Sequence, residues 1–406
     1  VANKKNKILY ISYDGLTDPL GQSQILPYLL ELSKLDYRFH ILSCEKPQNF
    51  KEHKGTIEDI ILGTSITWHP QKYHKYPPVL SALLDIFLMK RKTAMLHKRF
   101  SFSACWCRSY LPAIVGLFLW RKSGVPFIFD MRGFWADERV EGGSWPQSNF
   151  VFRLVYRYFK TTEKQLLKEA AHVVVLTSKA KEILQKGLLH NNPQSESISI
   201  IPCCVDTSLF NPAHLGIQER NIARKLLGIN SEDKILVYAG SVGTWYMISE
   251  MLQYFVGLQK FDASWKFLVL TMDNPQQIVD SAKIKGLSMD DIVIRPCKRA
   301  EMPLYLSLGH LAISFIQPVF SKQASSPTKL AEYLAMGLPV AYNANVGDVD
   351  DIMDLCQAGI KVEVDPIAAG QPELMFDSNA IREFACNNFT VEKGVKVYSL
   401  ILKEMC

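Results

Sequence analysis

Apolar residues fall into two rhythms along this chain of 406 residues. Short continuous runs rich in Val, Ile, Tyr and Phe read as buried strands. Longer stretches with an apolar residue every three or four positions read as helices. In the first half the strands are predicted at 8–13, 39–43, 65–68, 104–108, 126–130, 172–176 and 198–202, with helices near 22–33, 79–99, 112–122, 150–171 and 179–185. The second half predicts strands at 235–238, 266–270, 291–295, 311–315 and 338–342, and helices near 247–259, 275–285, 303–308, 327–336 and 348–354. Such alternation argues for parallel sheets covered by helices on both faces. The rhythm lapses between Pro202 and Lys234, which places a boundary there. The predicted domains are residues 1–203 and 204–390, followed by an amphipathic stretch over 391–406.

One segment combines an element with chemistry: SSPTKLAEYLAMGLPVAYNANVGD, residues 325–348. Ser326 suits an N-cap and Pro327 the first helical position, where no N–H partner is needed. Leu330, Ala331, Leu334 and Ala335 share one apolar arc, whereas Lys329 and Glu332 share the opposite one. The free N–H groups at this helix start, near Thr328, attract anions, and Lys329 adds charge. Glu332, one turn on, is placed to accept hydrogen bonds from hydroxyls such as those of a ribose. The plain reading is a solvated surface pair of Lys329 with Glu332.

Composition narrows the class. Hydrophobic residues make up 48% and charged residues 21%, as in a globular protein. The length favours two cores over one. The longest apolar runs, such as LPAIVGLFLW at 111–120, are too short for a membrane span, and the basic start VANKKNKILYISY enters a strand without a cleavage site. Nine cysteines without a CxxC pair suit reduced thiols in the cytosol, with no zinc or other metal site expected. A net charge of +6 fits anionic substrates or a membrane surface and does not point to nucleic acid.

Glycine loops after strands are the usual ligand sites of open α/β sheets. In DGLTDPLGQ (14–22), Gly21 would let backbone N–H groups approach a phosphate or sugar; the plain reading is a turn. In GSVGTW (240–245), Gly240, Ser241 and Gly243 would permit main-chain contact with a diphosphate. Neither loop has the GxGxxG spacing of nicotinamide or flavin folds. Arg108, at a strand end, reads as an ion-pairing residue or as a ligand for an acidic acceptor. Asp137, Glu138 and Glu141 lie among Phe134, Trp135 and Trp145, which fits either a sugar cleft or an acidic loop over buried tryptophans. The helix at 79–99 joins Leu83, Leu84, Ile86, Phe87 and Leu88 to Lys90, Arg91, Lys92, Lys98 and Arg99, so it reads as core-packed or as lying on an anionic membrane.

The run PTKLAEYLAMGLPV (327–340) closely resembles the nucleotide-sugar segment of family 4 glycosyltransferases. ILYISYDGLTDPLGQSQ (8–24), FDMRGFWADE (129–138), IPCCVDTSLFNP (201–212) and LVYAGSVG (236–243) resemble further segments of that family, in its order. The resemblance implies the α/β GT-B fold, two Rossmann-like domains with a cleft between them, and a C-terminal helix that returns to the first domain. It implies transfer of a sugar from a UDP- or GDP-type donor, with retention and without cofactor or required metal, to a glycan or lipid-linked acceptor in cell-surface polysaccharide biosynthesis. A cytoplasmic protein at the inner face of the membrane is then expected. The implied catalytic residues are Arg132, as a clamp on phosphate or substrate, and Lys329. The plain reading of Arg132 is an ion pair with Asp130, Asp137 or Glu138. The loop holding Lys298 would meet the nucleotide base, and Ser326, Thr328 and Glu332 the rest of the donor. Two departures stand out. Residues 244–251 lack the Arg and Lys that many relatives carry, and the family's first glutamate falls on Ala324, with Lys322 and Ser325 as nearby polar candidates. A GT-B nucleotide-sugar epimerase and a catalytically inert sugar- or partner-binding relative are the alternative readings.

Overall fold

The computed structural model describes residues 6–77, 79–190, 192–364, 367 and 375–406. The chain divides into two compact units. One holds the residues through Pro202 together with Val391–Cys406, and the other is Cys203–Thr390.

The first unit is built on seven parallel strands: β1 (Asn6–Ser12), β2 (Tyr37–Glu45), β3 (Ile66–Lys72), β4 (Ala104–Arg108), β5 (Phe127–Asp130), β6 (His172–Val175) and β7 (Ile198–Ile200). Their order across the sheet is β3-β2-β1-β4-β5-β6-β7. Ile8 of β1 lies opposite Phe39 of β2 and Ala104 of β4, which fixes the central register. Every residue of β4 and β5 is buried, as a sheet covered on both faces requires. β3 runs through Pro70 to Lys72, beyond the predicted end, because an edge strand tolerates a residue with no N–H. The helix predicted at 22–33 is two helices, Pro19–Gln24 and Leu26–Ser33, parted at Ile25, because Pro27 has no N–H to donate to the Ser23 carbonyl and its ring would crowd that carbonyl in a continuous helix.

The last helix, Val391–Met405, packs on Leu26–Ser33. Tyr398 stands edge-on to Tyr28 and 4.0 Å from the Trp106 ring, and its hydroxyl donates to Asp130 Oδ2 at 3.2 Å. Gly394 makes the approach possible, since a Cβ there would lie 2.6 Å from the Tyr28 ring.

The second unit carries six parallel strands: β8 (Lys234–Ala239), β9 (Trp265–Leu270), β10 (Ile292–Arg295), β11 (Leu311–Ser314), β12 (Val340–Tyr342) and β13 (Gly359–Lys361), in the order β10-β9-β8-β11-β12-β13. Alternate residues of β8 enter two separate cores: Ile235, Val237 and Ala239 on one face, Leu236 and Tyr238 on the other. From β8 the chain winds outward through β9 to β10, then returns to the other side of β8 and winds outward again from β11. The crevice at the carboxyl ends of β8 and β11 is therefore this sheet's topological switch point, where open α/β sheets receive ligands. The nine cysteines are free and mostly buried. No helix among the described residues is long and apolar enough to cross a membrane.

Candidate functional site

The loop Gly240–Trp245 leaves β8 at this switch point, and the helix Thr328–Ala335 follows β11. An isolated eight-residue helix is not stable in water, so tertiary burial must hold this one. All seven residues from Lys329 to Ala335 are buried. The opposite arc expected to carry a solvated Lys329–Glu332 pair is therefore inside the unit: Lys329 is 7% and Glu332 8% exposed. The surface-pair reading fails on burial.

The helix start differs by one residue from the expectation. Pro327 has extended backbone and occupies the cap position, and no side chain caps the helix. Ser326 instead accepts a hydrogen bond from the Cys203 N–H at 3.1 Å, tying the helix start to the segment that opens this unit. Thr328, half-buried, is the first helical residue.

Lys329 defines the site. Its Nζ donates to the Tyr238 hydroxyl at 2.8 Å and lies 4.0 Å from the Tyr238 ring centre and 3.6 Å from that of Tyr246. A hydroxyl and two aromatic faces hold the ammonium in place of a carboxylate. Burial holds its pKa well below the ordinary lysine value, with Glu332 pulling weakly the other way. The first turn of the helix contains no acidic residue. A cation buried at the positive end of a helix dipole costs stability on two counts, desolvation and dipole repulsion. An anionic ligand bound there would offset both.

Gly240 is part of the same construction. Its φ of +136° suits glycine alone, and a Cβ at this position would lie 2.7 Å from Lys329 Nζ and 3.0 Å from its Cε. The missing side chain is what admits the lysine. Gly243 also has positive φ, at +132°. Tyr238 ties the loop back by donating to the Ser241 carbonyl at 2.6 Å, and the Val242 N–H donates to Asp273 Oδ2 at 2.7 Å. On the far side of the loop Lys322, itself buried, lies 3.8 Å from the Trp245 ring centre. Consecutive aromatics, Trp245 and Tyr246, thus each carry a buried lysine. Lys322 comes from the one-turn helix Phe320–Ala324, so a second cation reaches this loop from β11 although residues 244–251 supply none.

Glu332 pairs with Arg299 at 2.7 Å, and Arg299 lies over the Phe210 ring. Burial raises the Glu332 pKa, and Arg299 opposes that rise. The loop after β10 therefore contributes Arg299 and not Lys298, whose side chain is exposed and whose N–H is taken by Glu301 Oε2 at 3.1 Å. Ala324, at the position of the family's first glutamate, is fully enclosed.

The residues expected in the first unit form a separate constellation. The space beside Gly21 is filled by this chain's own backbone, since a Cβ there would lie 2.1 Å from the Gly15 carbonyl oxygen. The N–H groups of Leu16 and Thr17 donate to the buried Glu45 carboxylate at 2.8 and 3.2 Å. A protein carboxylate thus occupies the anion position expected for a phosphate or sugar near Gly21. Arg132 adopts a left-handed backbone, φ +60°, and its guanidinium lies 3.8 Å from Asp130, the plain ion pair foreseen for it. Arg108 is buried between Asp14, at 3.7 Å, and Asp130, at 4.0 Å, as an ion-pairing residue. Asp137 is bound by Tyr156 and Lys160 at 2.7 and 2.8 Å, and Trp135, Trp145 and Phe159 pack on one another. Asp137 and the aromatic residues there form an interior cluster, whereas Glu141 is exposed.

The aromatic cage is what sequence reasoning missed. Tyr238, Trp245 and Tyr246 flank the glycine loop in YAGSVGTWY, and aromatic residues bracketing a glycine turn could have been read as seats for cations.

Residues 28–209 match the model of Glycosyltransferase Family 4. No curated protein sequence matches the chain. Among solved structures, a glycosyltransferase from Rickettsia africae is similar at 17% identity and a TM-score of 0.72, with 98% of this chain and 99% of that one aligned. Sucrose-phosphate synthase from Thermosynechococcus elongatus is similar at 15% identity and a TM-score of 0.73, with the same coverage. HepE of Anabaena, in complex with UDP and glucose, is similar at 10% identity and a TM-score of 0.70, over 98% of this chain and 100% of that one. Residues 28–209 thus resemble Glycosyltransferase Family 4 in sequence, and over nearly its whole length the chain has the GT-B fold.

Proposed function

We propose that this protein transfers a sugar from a nucleoside-diphosphate donor to a glycan or lipid-linked acceptor, with retention at the anomeric carbon, in cell-surface polysaccharide biosynthesis on the cytoplasmic side. The observation that carries the reading is the buried Lys329 at an uncapped helix start, pressed against Gly240 at the switch point. As the bond between the anomeric carbon and the diphosphate breaks, the electron pair stays with the departing oxygen. The Lys329 ammonium and the helix N–H groups stabilise that charge in a preorganised, desolvated setting. Lys322 adds the second positive charge that residues 244–251 lack. Glu332, with one oxygen engaged by Arg299, retains acceptor capacity for ribose hydroxyls. Arg132 is assigned a clamping role on phosphate or substrate, since a guanidinium stays protonated and cannot serve as a base.

The HepE complex with UDP and glucose makes uridine donors the first to test. The enclosed Ala324 favours the second reading, an inert sugar- or partner-binding relative, because the family's first acidic group has no counterpart there. The deciding experiment incubates the full chain with a panel of UDP-, GDP- and ADP-sugars, with and without glycan or lipid acceptors, and follows nucleotide release and product configuration by NMR. Acceptor-dependent release with a retained anomer supports the transferase. Conversion of the donor alone indicates an epimerase, and neither binding nor release with any donor establishes the inert reading.

A further inference from the structure

Three helices of the first unit form a face that the sugar-transfer reading does not use. Leu80–Phe100 precedes β4, Tyr110–Ser123 precedes β5 and Phe150–Glu169 precedes β6, and the middle helix contacts both others. Each returns antiparallel to the strand it feeds. The right-handed rule for parallel crossovers puts all three on one side of the sheet, running in one direction. Their first halves therefore lie at the same end of the unit.

The first and third of these helices expose large apolar side chains in helical register along their first halves, whereas the first half of the middle helix is buried between them and the sheet. On the first helix these are Leu80, Leu83, Leu84 and Phe87, with Phe87 62% exposed, while Ile86 and Met89 of the same helix turn inward. On the third they are Phe150, Val151, Leu154 and Tyr158, with Phe150 63% exposed. Singly scattered apolar residues are normal on a surface; two aligned stripes are not.

The charge on this face is one-sided. The three helices contain twelve Lys and Arg against three Asp and Glu. Of the three acids, Asp85 and Glu163 are buried and Glu169 pairs with Arg121. Between the helices runs a groove of about 480 Å3 whose lining includes Lys90, Arg121, Lys122, Phe118, Tyr158 and Thr161. Lys90 and Lys122 both lie over the Phe118 ring, at 5.7 and 5.5 Å. Cations and hydroxyls around an aromatic floor make a fitting seat for a phosphate headgroup.

We propose that this three-helix face docks on a bilayer containing anionic phospholipid, the apolar stripes entering the interface and the basic residues pairing with headgroups. Leucine and phenylalanine stripes add nothing to the binding of a soluble polyanion, whereas an interfacial surface needs both components. A second copy of the chain is disfavoured as the occupant, because two such faces would repel.

Flotation of the full chain with vesicles tests this. Wild-type protein binds vesicles of equal parts phosphatidylcholine and phosphatidylglycerol and leaves phosphatidylcholine vesicles unbound. Neutralising each basic residue weakens partitioning about five-fold, so the double variant Arg153→Gln/Arg157→Gln loses about 25-fold. The double variant Leu83→Ser/Phe87→Ser loses at least about tenfold through lost apolar burial. Both variants keep the wild-type unfolding temperature and nucleotide binding, because their sites are exposed and belong to the other unit from Lys329. Wild-type protein that ignores the anionic vesicles overturns the proposal. So does a Leu83→Ser/Phe87→Ser variant that binds like wild type, which would mark the face as a site for soluble polyanions.

Discussion

Lys329→Met lowers donor turnover by about 100- to 1,000-fold, the range seen when one preorganised donor to a developing negative charge is removed. The same substitution leaves the unfolding temperature unchanged or raises it. Methionine matches the length of the lysine stem, sits well against the Tyr238 and Tyr246 rings, and needs no hydration. The native lysine has its pKa depressed by burial, so its charged form is less favourable folded than unfolded. Removing it removes that penalty. Activity and stability moving in opposite directions is the signature of a residue kept for its chemistry. The readouts are nucleoside-diphosphate release with whichever donor the panel identifies, and thermal unfolding of the two proteins side by side. A parallel loss of stability and activity would make Lys329 a structural residue.

Glu332→Gln weakens nucleotide binding by about 10- to 100-fold while preserving most of kcat at saturating donor. A hydroxyl hydrogen bond to a carboxylate contributes roughly 1.5–3 kcal/mol against about 0.5–1.5 for one to a neutral amide, so losing the charge at two ribose hydroxyls accounts for the change. The site lies one turn beyond Lys329, away from the departing charge, so the contact is equally strong before and during reaction. Loss of such uniform binding raises KM and spares kcat. Arg299 complicates the change, because it loses its 2.7 Å partner. The Arg299→Gln variant therefore serves as the control: it keeps Glu332 as an acceptor and shows the smaller affinity loss. Steady-state kinetics of both variants check this, and an unchanged KM in Glu332→Gln would remove the residue from the donor site.

Legibility from sequence followed the strength of the local signal. The strands β1 to β12 were visible because parallel sheets buried on both faces write continuous apolar runs. The strand β13, Gly359–Lys361, escaped because it has three residues, one of them glycine, at a sheet edge. The helix Pro47–Ile61 escaped because it buries Ile57 alone, so its polar sequence PQNFKEHKGTIEDII shows no apolar stripe. In the site, the helix after β11 was legible from Pro327, the apolar spacing and Gly337. What spacing could not show was the direction in which Lys329 and Glu332 point. A lysine and a glutamate one turn apart read as a surface pair on any isolated helix, and only packing buries them, Lys329 against Tyr238 and Gly240 and Glu332 against Arg299 of the loop after β10. The Tyr238–Lys329 contact spans 91 residues, and the Trp245–Lys322 contact is equally non-local. The loop near Gly21 misled for a related reason: the partner of its N–H groups, Glu45, lies in another strand.

Calorimetric titration of UDP and UMP, with GDP and GMP in parallel, into wild-type protein and Lys329→Met puts the pyrophosphate site to the test. One diphosphate binds the wild type at least about tenfold more tightly than its monophosphate, because only the second phosphate reaches the helix start and its lysine. In Lys329→Met that preference collapses while the monophosphate affinity stays as it was. A diphosphate preference of the same size in both proteins, or a wild type that binds none of the four nucleotides, would contradict the account.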